Sequence, residues 1–124
     1  MRIVFRADAS TQMGSGHIMR CMCLAEALQK HQAQIWFIVR HITDYLEQIL
    51  RDKGFQVILL PDQNSQTDDL FHSEWLGVSQ IDDALATCKV LQHLEKPVDW
   101  LIVDHYAIDH RWERILKPLV DKIL

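Results

Sequence analysis

Long apolar runs are missing from this sequence. No stretch approaches the roughly 18 consecutive apolar residues that a membrane-spanning helix requires, so no membrane partner is expected. A leader is missing too: the N-terminus passes straight into Ile3-Val4-Phe5 with no basic-then-apolar segment before it, which makes the cytoplasm the expected location. Positive charge is not in excess. The formal net charge is −4, and Lys and Arg are scattered along the chain, which argues against a nucleic-acid surface. Cysteine is scarce, and the three present (Cys21, Cys23 and Cys88) cannot all pair with one another. Cys21 and Cys23 lie two apart in a helical stretch and point in different directions, so free buried thiols in a reducing compartment are expected. Internal repeats and low-complexity tracts are absent. Only four glycines occur, and two of them, Gly14 and Gly16, share one turn.

What remains describes a globular domain. The 124 residues are 48% apolar and 24% charged, enough for one domain with a core of its own. Residues 2–7 are predicted to form a strand and residues 17–30 a helix, with Ile18, Met22, Ala25 and Leu28 at helical spacing on one face. Ile35 to Val39 is a continuous apolar run, as a parallel strand buried on both faces requires. Asp44-Tyr45-Leu46-Glu47 has the spacing of a capping box for a second helix, and Gly54 is its expected stop. Val57 to Leu60 reads as a third strand, ended by Pro61. The polar, acidic stretch from Asp62 to Ser73 is expected to be an exposed loop. Ser79 with Asp82 caps a predicted helix over 80–94, with Ile81, Leu85, Cys88 and Leu91 facing inward. Trp100 to Val103 reads as a fourth strand ending on Asp104-His105-Tyr106. Asp109 caps a fourth helix to about Leu116, and Lys122-Ile123-Leu124 opens a fifth strand.

Alternating strands and helices imply a Rossmann-like α/β fold, a parallel sheet flanked by helices and joined by right-handed crossovers. In such sheets, ligands bind beyond the carboxyl ends of the strands, where the strand order reverses. With the order 3-2-1-4-5 that reversal lies between strands one and four. It brings together the two turns richest in chemistry, Asp8 to His17 and Asp104-His105-Tyr106.

The first turn, Met13-Gly14-Ser15-Gly16-His17, has the makings of an anion corner. Unpaired N–H groups at a helix start, the helix dipole and two small residues all favour close approach of a negative group. It lacks the third glycine of the dinucleotide fingerprint, since Met19 stands there, and it lacks the Gly-Lys-Ser/Thr of a phosphate loop. An ordinary glycine turn with an incidental histidine is the plainer reading. A neutral His17 within about 3 Å of a water can take its proton and act as general base. Asp104 has the chemistry to orient a histidine or bind a sugar hydroxyl, and Tyr106 to line a pocket. Arg6 and Asp8 bracket the end of strand one and either pair with each other or reach a ligand. His17 and Cys21, four apart on one helix face, are a possible metal pair, but no second pair at ligand spacing accompanies them. Trp75-Leu76-Gly77-Val78-Ser79 reads either as a loop anchored on the core or as a wall beside the substrate.

Taken together, Arg6-Ala7-Asp8-Ala9-Ser10, Gly14-Ser15-Gly16-His17, Met19-Arg20-Cys21, Trp75 to Gln80 and Asp104-His105-Tyr106 resemble the N-terminal half of the UDP-sugar hydrolases of bacterial pseudaminic acid biosynthesis. That family is related to spore-coat polysaccharide proteins and to the glycosyltransferase that makes lipid II. The resemblance implies a two-domain GT-B architecture, of which residues 1–124 are the N-terminal domain and a C-terminal nucleotide-binding domain is absent. It implies hydrolysis of UDP-2,4-diacetamido-2,4,6-trideoxy-β-L-altropyranose to UDP and the free sugar. His17 would be the catalytic base on water. Arg6, Asp8, Gly14, Ser15, Gly16, Asp104, His105 and Tyr106 would bind the substrate. Neither a cofactor nor a metal is implied. This half alone is expected to turn over weakly or not at all, and its open interdomain face is expected to favour self-association. A GT-B glycosyltransferase domain and a non-catalytic sugar-nucleotide-binding module are the alternatives.

Overall fold

The computed structural model describes residues 1–9, 14–61, 76, 78–94, 97–105 and 107–124. Five strands, β1 (Arg2–Ala7), β2 (Gln34–Val39), β3 (Gln56–Leu59), β4 (Val98–Asp104) and β5 (Val120–Ile123), alternate with four helices, α1 (Gly16–Gln29), α2 (Asp44–Asp52), α3 (Gln80–His93) and α4 (His110–Leu116). A short 3-10 turn over Lys117–Leu119 leads into β5. The strands form one sheet in the order β3-β2-β1-β4-β5, and every neighbouring pair is parallel. The order is the 3-2-1-4-5 arrangement considered from sequence, with its reversal between β1 and β4.

Strand alternation sorts the core into two layers. Ile3, Phe5 and Ala7 of β1 join Phe37, Ile102 and the buried faces of α1 and α2 in one layer. Phe5 and Phe37 stack there with ring centroids 4.9 Å apart. Val4 of β1 joins Trp36, Leu101, Leu91 and Trp112 in the other, beneath α3 and α4. The register pairs Phe5 with Ile102, Arg6 with Val103 and Ala7 with Asp104. A residue's place in β1 or β4 therefore decides which helices it meets.

The helix ends follow local chemistry. Thr43, one residue ahead of the predicted box, caps α2: its hydroxyl accepts from the Leu46 N–H at 3.2 Å. At the other end Gly54 takes φ +87°, its N–H bonds to the Arg51 carbonyl, and the Phe55 N–H bonds to that of Leu50. This paired closure needs a left-handed residue at the glycine position. Ser79 caps α3 through the Asp82 N–H at 3.1 Å, and Asp109 caps α4 through the Arg111 N–H at 2.9 Å.

Helix α3 departs from the predicted orientation. Of the four residues expected inward, Leu91 is buried and Cys88 partly so, whereas Ile81 and Leu85 are 58% and 51% exposed. The buried face carries Gln80, Asp83, Ala84 and Thr87 instead. This face places Asp83 against the buried Arg6 and Arg40, and Ala84 and Leu91 in the core. The cysteine expectation is corrected at one position. Cys21 is buried and its thiol is pushed up to about 12 by that burial, but Cys23 is exposed; all three thiols are free.

Candidate functional site

The switch point carries two polar clusters, separated by the sheet. On the α1 side, His17 stands in the first turn of α1 and Asp104 at the last residue of β4. His17 Nδ1 lies 2.5 Å from Asp104 Oδ1. Asp104 can only accept and Arg20 Nη2, 3.2 Å from the same nitrogen, can only donate; the shorter contact, to Asp104, favours the proton on Nδ1 and the lone pair on Nε2. Arg20, three residues along the same helix face, forks onto Asp104 with Nε 3.1 Å from Oδ2 and Nη2 3.0 Å from both oxygens. The His17 side chain is almost wholly buried, Asp104 is about one-quarter exposed and Arg20 is largely exposed. Burial alone would raise the Asp104 carboxyl, but hydrogen bonds from Arg20 and His17 outweigh it and hold the group below the usual carboxylate range. The arrangement is a carboxylate–imidazole pair with its charge offset by a guanidinium.

Gly14, Ser15 and Gly16 precede it, all exposed. Ser15 stands at the N-cap of α1 but makes no side-chain cap, and no acidic residue occupies the first turn, unlike α2, α3 and α4. The two glycines have different jobs. Gly14 has φ +72°, whereas Gly16 has ordinary backbone and open space where a Cβ would stand. Gly14→Ala is expected to cost about 1–2 kcal/mol from the left-handed backbone, and Gly16→Ala far less; urea unfolding of the two variants reads the difference. Met13 and Tyr106 lie outside the described residues, as do Trp75 and Gly77.

Arg6, Asp8 and His105 belong to the second cluster, on the α3 and α4 side. Arg6 and Asp8 do pair, with Nη1 2.8 Å from Oδ1, and both side chains are wholly buried. Asp8 Oδ1 also accepts from the backbone N–H groups of Arg40 at 2.7 Å and His41 at 3.2 Å. His105 donates from Nε2 to Asp8 Oδ2 at 2.9 Å, while its Nδ1 accepts the Ala107 N–H at 3.0 Å. These three residues were expected at the ligand. Their polar atoms are instead committed inside the protein, so the structure assigns them a supporting place. Two residues that sequence reasoning passed over complete the cluster: Asp83 accepts from Arg6, Arg40 and the Trp112 indole N–H, and the Arg40 guanidinium also reaches the Pro61 carbonyl. Two guanidinium groups meet two carboxylates, so the buried charge balances.

That cluster sets a pH dependence. Burial would raise the Asp8 and Asp83 carboxyls, but the arginines and their hydrogen bonds hold both well below the usual range. Burial lowers His105 despite its bond to Asp8. In each case the unfolded chain takes up protons before the folded one as pH falls. The cluster's contribution to stability is therefore complete above about pH 6.5, declines first through His105 and falls again through the carboxylates below about pH 4. Thermal melting across pH is expected to show both stages, with the upper one reduced in His105→Gln; an unchanged profile in that variant would count against the assignment.

Leu76 and Val78 are buried against Ala107, and His41 Nε2 lies 3.1 Å from the Leu76 carbonyl oxygen. The described part of the Trp75 to Ser79 stretch is thus anchored on the core beside the β4–α4 turn. Among the described residues no group of His, Cys, Asp and Glu could hold a metal ion, and no helix is long and apolar enough to cross a membrane.

No family model matches the chain. An uncharacterized protein of Methanocaldococcus jannaschii, MJ1062, is 27% identical over 125 aligned residues, which cover all of this chain and 21% of that protein. Two solved structures share the fold. Acinetobacter baumannii MurG superposes with a TM-score of 0.64 at 12% identity, over 98% of this chain and 34% of that one. A UGT transferase from Siraitia grosvenorii in complex with UDP gives 0.69 at 14% identity, over 99% of this chain and 27% of that one. The chain has the Rossmann-like fold of the N-terminal domain of GT-B glycosyltransferases. It spans about a fifth of the relative's length and about a third or less of the two structures.

Proposed function

We propose that this chain is the domain of a GT-B type sugar-nucleotide enzyme that supplies the proton acceptor. The observation that carries the reading is the His17–Asp104 pair, 2.5 Å apart at the sheet's switch point and beside the start of α1, where Ser15 makes no side-chain cap. In the reaction, His17 Nε2 takes the proton from an acceptor hydroxyl as that oxygen attacks the anomeric carbon. The bond from that carbon to the diphosphate oxygen breaks, and UDP leaves with the electron pair. Asp104 holds the ring in the tautomer that leaves Nε2 basic and stabilises the imidazolium that forms, and Arg20 holds Asp104. The main-chain N–H groups around Gly14, Ser15 and Gly16 would receive the departing anion, and the family resemblance alone gives Tyr106 to the sugar.

The acceptor separates two readings. A sugar hydroxyl makes the protein a glycosyltransferase, which the two structural neighbours favour. Water makes it a hydrolase of UDP-2,4-diacetamido-2,4,6-trideoxy-β-L-altropyranose in pseudaminic acid biosynthesis, which the motifs from Arg6 to Cys21 and at Asp104-His105-Tyr106 favour. We take the transferase-type fold as the frame and the hydrolase as its variant on water. The nucleotide is held mainly by a further domain, so that this half alone turns over weakly. Self-association is part of the reading: Met1, Leu24, Trp100 and Leu124 border an open apolar groove of about 300 Å³ on the α1 side of β4.

Product analysis tests the reading. The full-length protein is incubated with UDP-linked diacetamido sugars, with and without a sugar acceptor. A new glycosidic bond supports the transferase, and free sugar plus UDP regardless of acceptor supports the hydrolase. No UDP release from any such donor would overturn both.

A further inference from the structure

We propose that Asp8 is a positioning residue for the His17–Asp104 pair, acting across the sheet through His105. The register of β1 and β4 pairs Ala7 with Asp104, so the next residues along, Asp8 and His105, fall opposite each other. Alternation points Asp104 toward α1 and His105 toward α3. The Asp8–His105 bond at 2.9 Å therefore ties down the residue immediately after Asp104 without touching His17.

Asp8 is fitted for this work because one carboxylate fastens three strand ends. Oδ1 accepts from Arg6 at the end of β1 and from the Arg40 and His41 N–H groups just past β2, while Oδ2 accepts from His105 just past β4. His17 is carried by the turn that leaves β1, and Asp104 by the end of β4. The distance between their side chains thus depends on how β1 and β4 end relative to each other, and the Asp8–His105 bond holds that relation one residue beyond the last ladder pair, Ala7 with Asp104. The bond is also chemically directional. Nδ1 of His105 accepts the Ala107 N–H, so the ring proton must sit on Nε2 and face an acceptor. In Asp8→Asn, an amide N–H turned toward the ring would reverse the tautomer and set Nδ1–H against the Ala107 N–H. His105→Asn keeps an acceptor for Ala107 but falls short of Asp8. His105→Gln keeps a donor for Asp8.

The meaning of this inference rests on His17–Asp104 as the reacting pair, but its test needs no substrate. The readout is the proton NMR signal of His17 Nδ1–H, which a hydrogen bond to a carboxylate moves downfield. In the unaltered protein and in His105→Gln it is expected downfield and persistent. In Asp8→Asn and His105→Asn it is expected to move upfield or to be lost to exchange, in variants whose circular dichroism shows them folded. An unchanged His17 signal in either folded variant would overturn the proposal. So would loss of fold in both at low temperature, because the bond would then serve the fold and not the site. A negative result here leaves the His17 reading standing, since that reading is tested by turnover.

Discussion

Asp104→Asn is expected to lower sugar-nucleotide turnover by about 10²- to 10⁴-fold while leaving the fold in place. The carboxylate can only accept, which favours the His17 proton on Nδ1 and the lone pair on Nε2 even with the Arg20 guanidinium 3.2 Å from Nδ1. An asparagine amide offers a donor to the same nitrogen and favours the opposite tautomer, with the proton on Nε2, where the base is needed. The partner distance is 2.5 Å, so the ring has no room to ignore the exchange. Stability should change little, because Asp104 is partly exposed and its other partner, Arg20, lies largely in solvent. The split between kcat and KM is informative. Loss confined to kcat matches a group that acts in proton transfer, whereas loss confined to KM would make Asp104 a substrate ligand.

Asp83→Ala is expected to destabilise the fold by about 3–5 kcal/mol, a large share of the stability of a domain this size. Asp83 accepts four hydrogen bonds: two from Arg6 at 3.1 and 2.7 Å, one from Arg40 at 3.0 Å and one from the Trp112 indole at 2.8 Å. Among the described residues, removing it leaves Arg6 with Asp8 as its one carboxylate, leaves the buried Arg40 guanidinium with no carboxylate, and orphans the indole N–H. Trp112→Phe, which loses the indole bond and part of a buried ring but keeps the ion pairs, is expected to cost less, about 2–3 kcal/mol. Chemical unfolding of the two variants ranks them, and a smaller loss in Asp83→Ala than in Trp112→Phe would contradict the view that Asp83 is the centre of the cluster.

The sheet was legible because its strands are short, apolar and bounded by turn chemistry, and because crossover handedness leaves few orders to choose from. The pairing of Arg6 with Asp8 was legible from spacing alone. What went astray was the grouping of Arg6, Asp8 and His105 with His17 and Asp104 as one site. Period-two alternation separates them. Ile3, Phe5 and Ala7 share a face with Ile102 and Asp104, so Arg6, Asp8 and His105 must turn to the other. That signal was present in the strand pattern. The signal for Asp83 was weaker. Helix α3 has an apolar stripe through Ile81 and Leu85 that stays exposed, while the face with Asp83 meets Arg6 and Arg40 and packs Ala84 and Leu91 in the core. Arg20 lay in the motif beside His17, and its i,i+3 spacing on α1 placed it near Asp104 once the helix was known.

The central claim is that His17 takes the acceptor's proton at a UDP-sugar. The most direct measurement is UDP release from a UDP-sugar donor by the full-length protein, with His17→Ala alongside. The account predicts that His17→Ala stays folded and loses about 10²- to 10⁴-fold in rate. Release by a folded His17→Ala at the unaltered rate would contradict it.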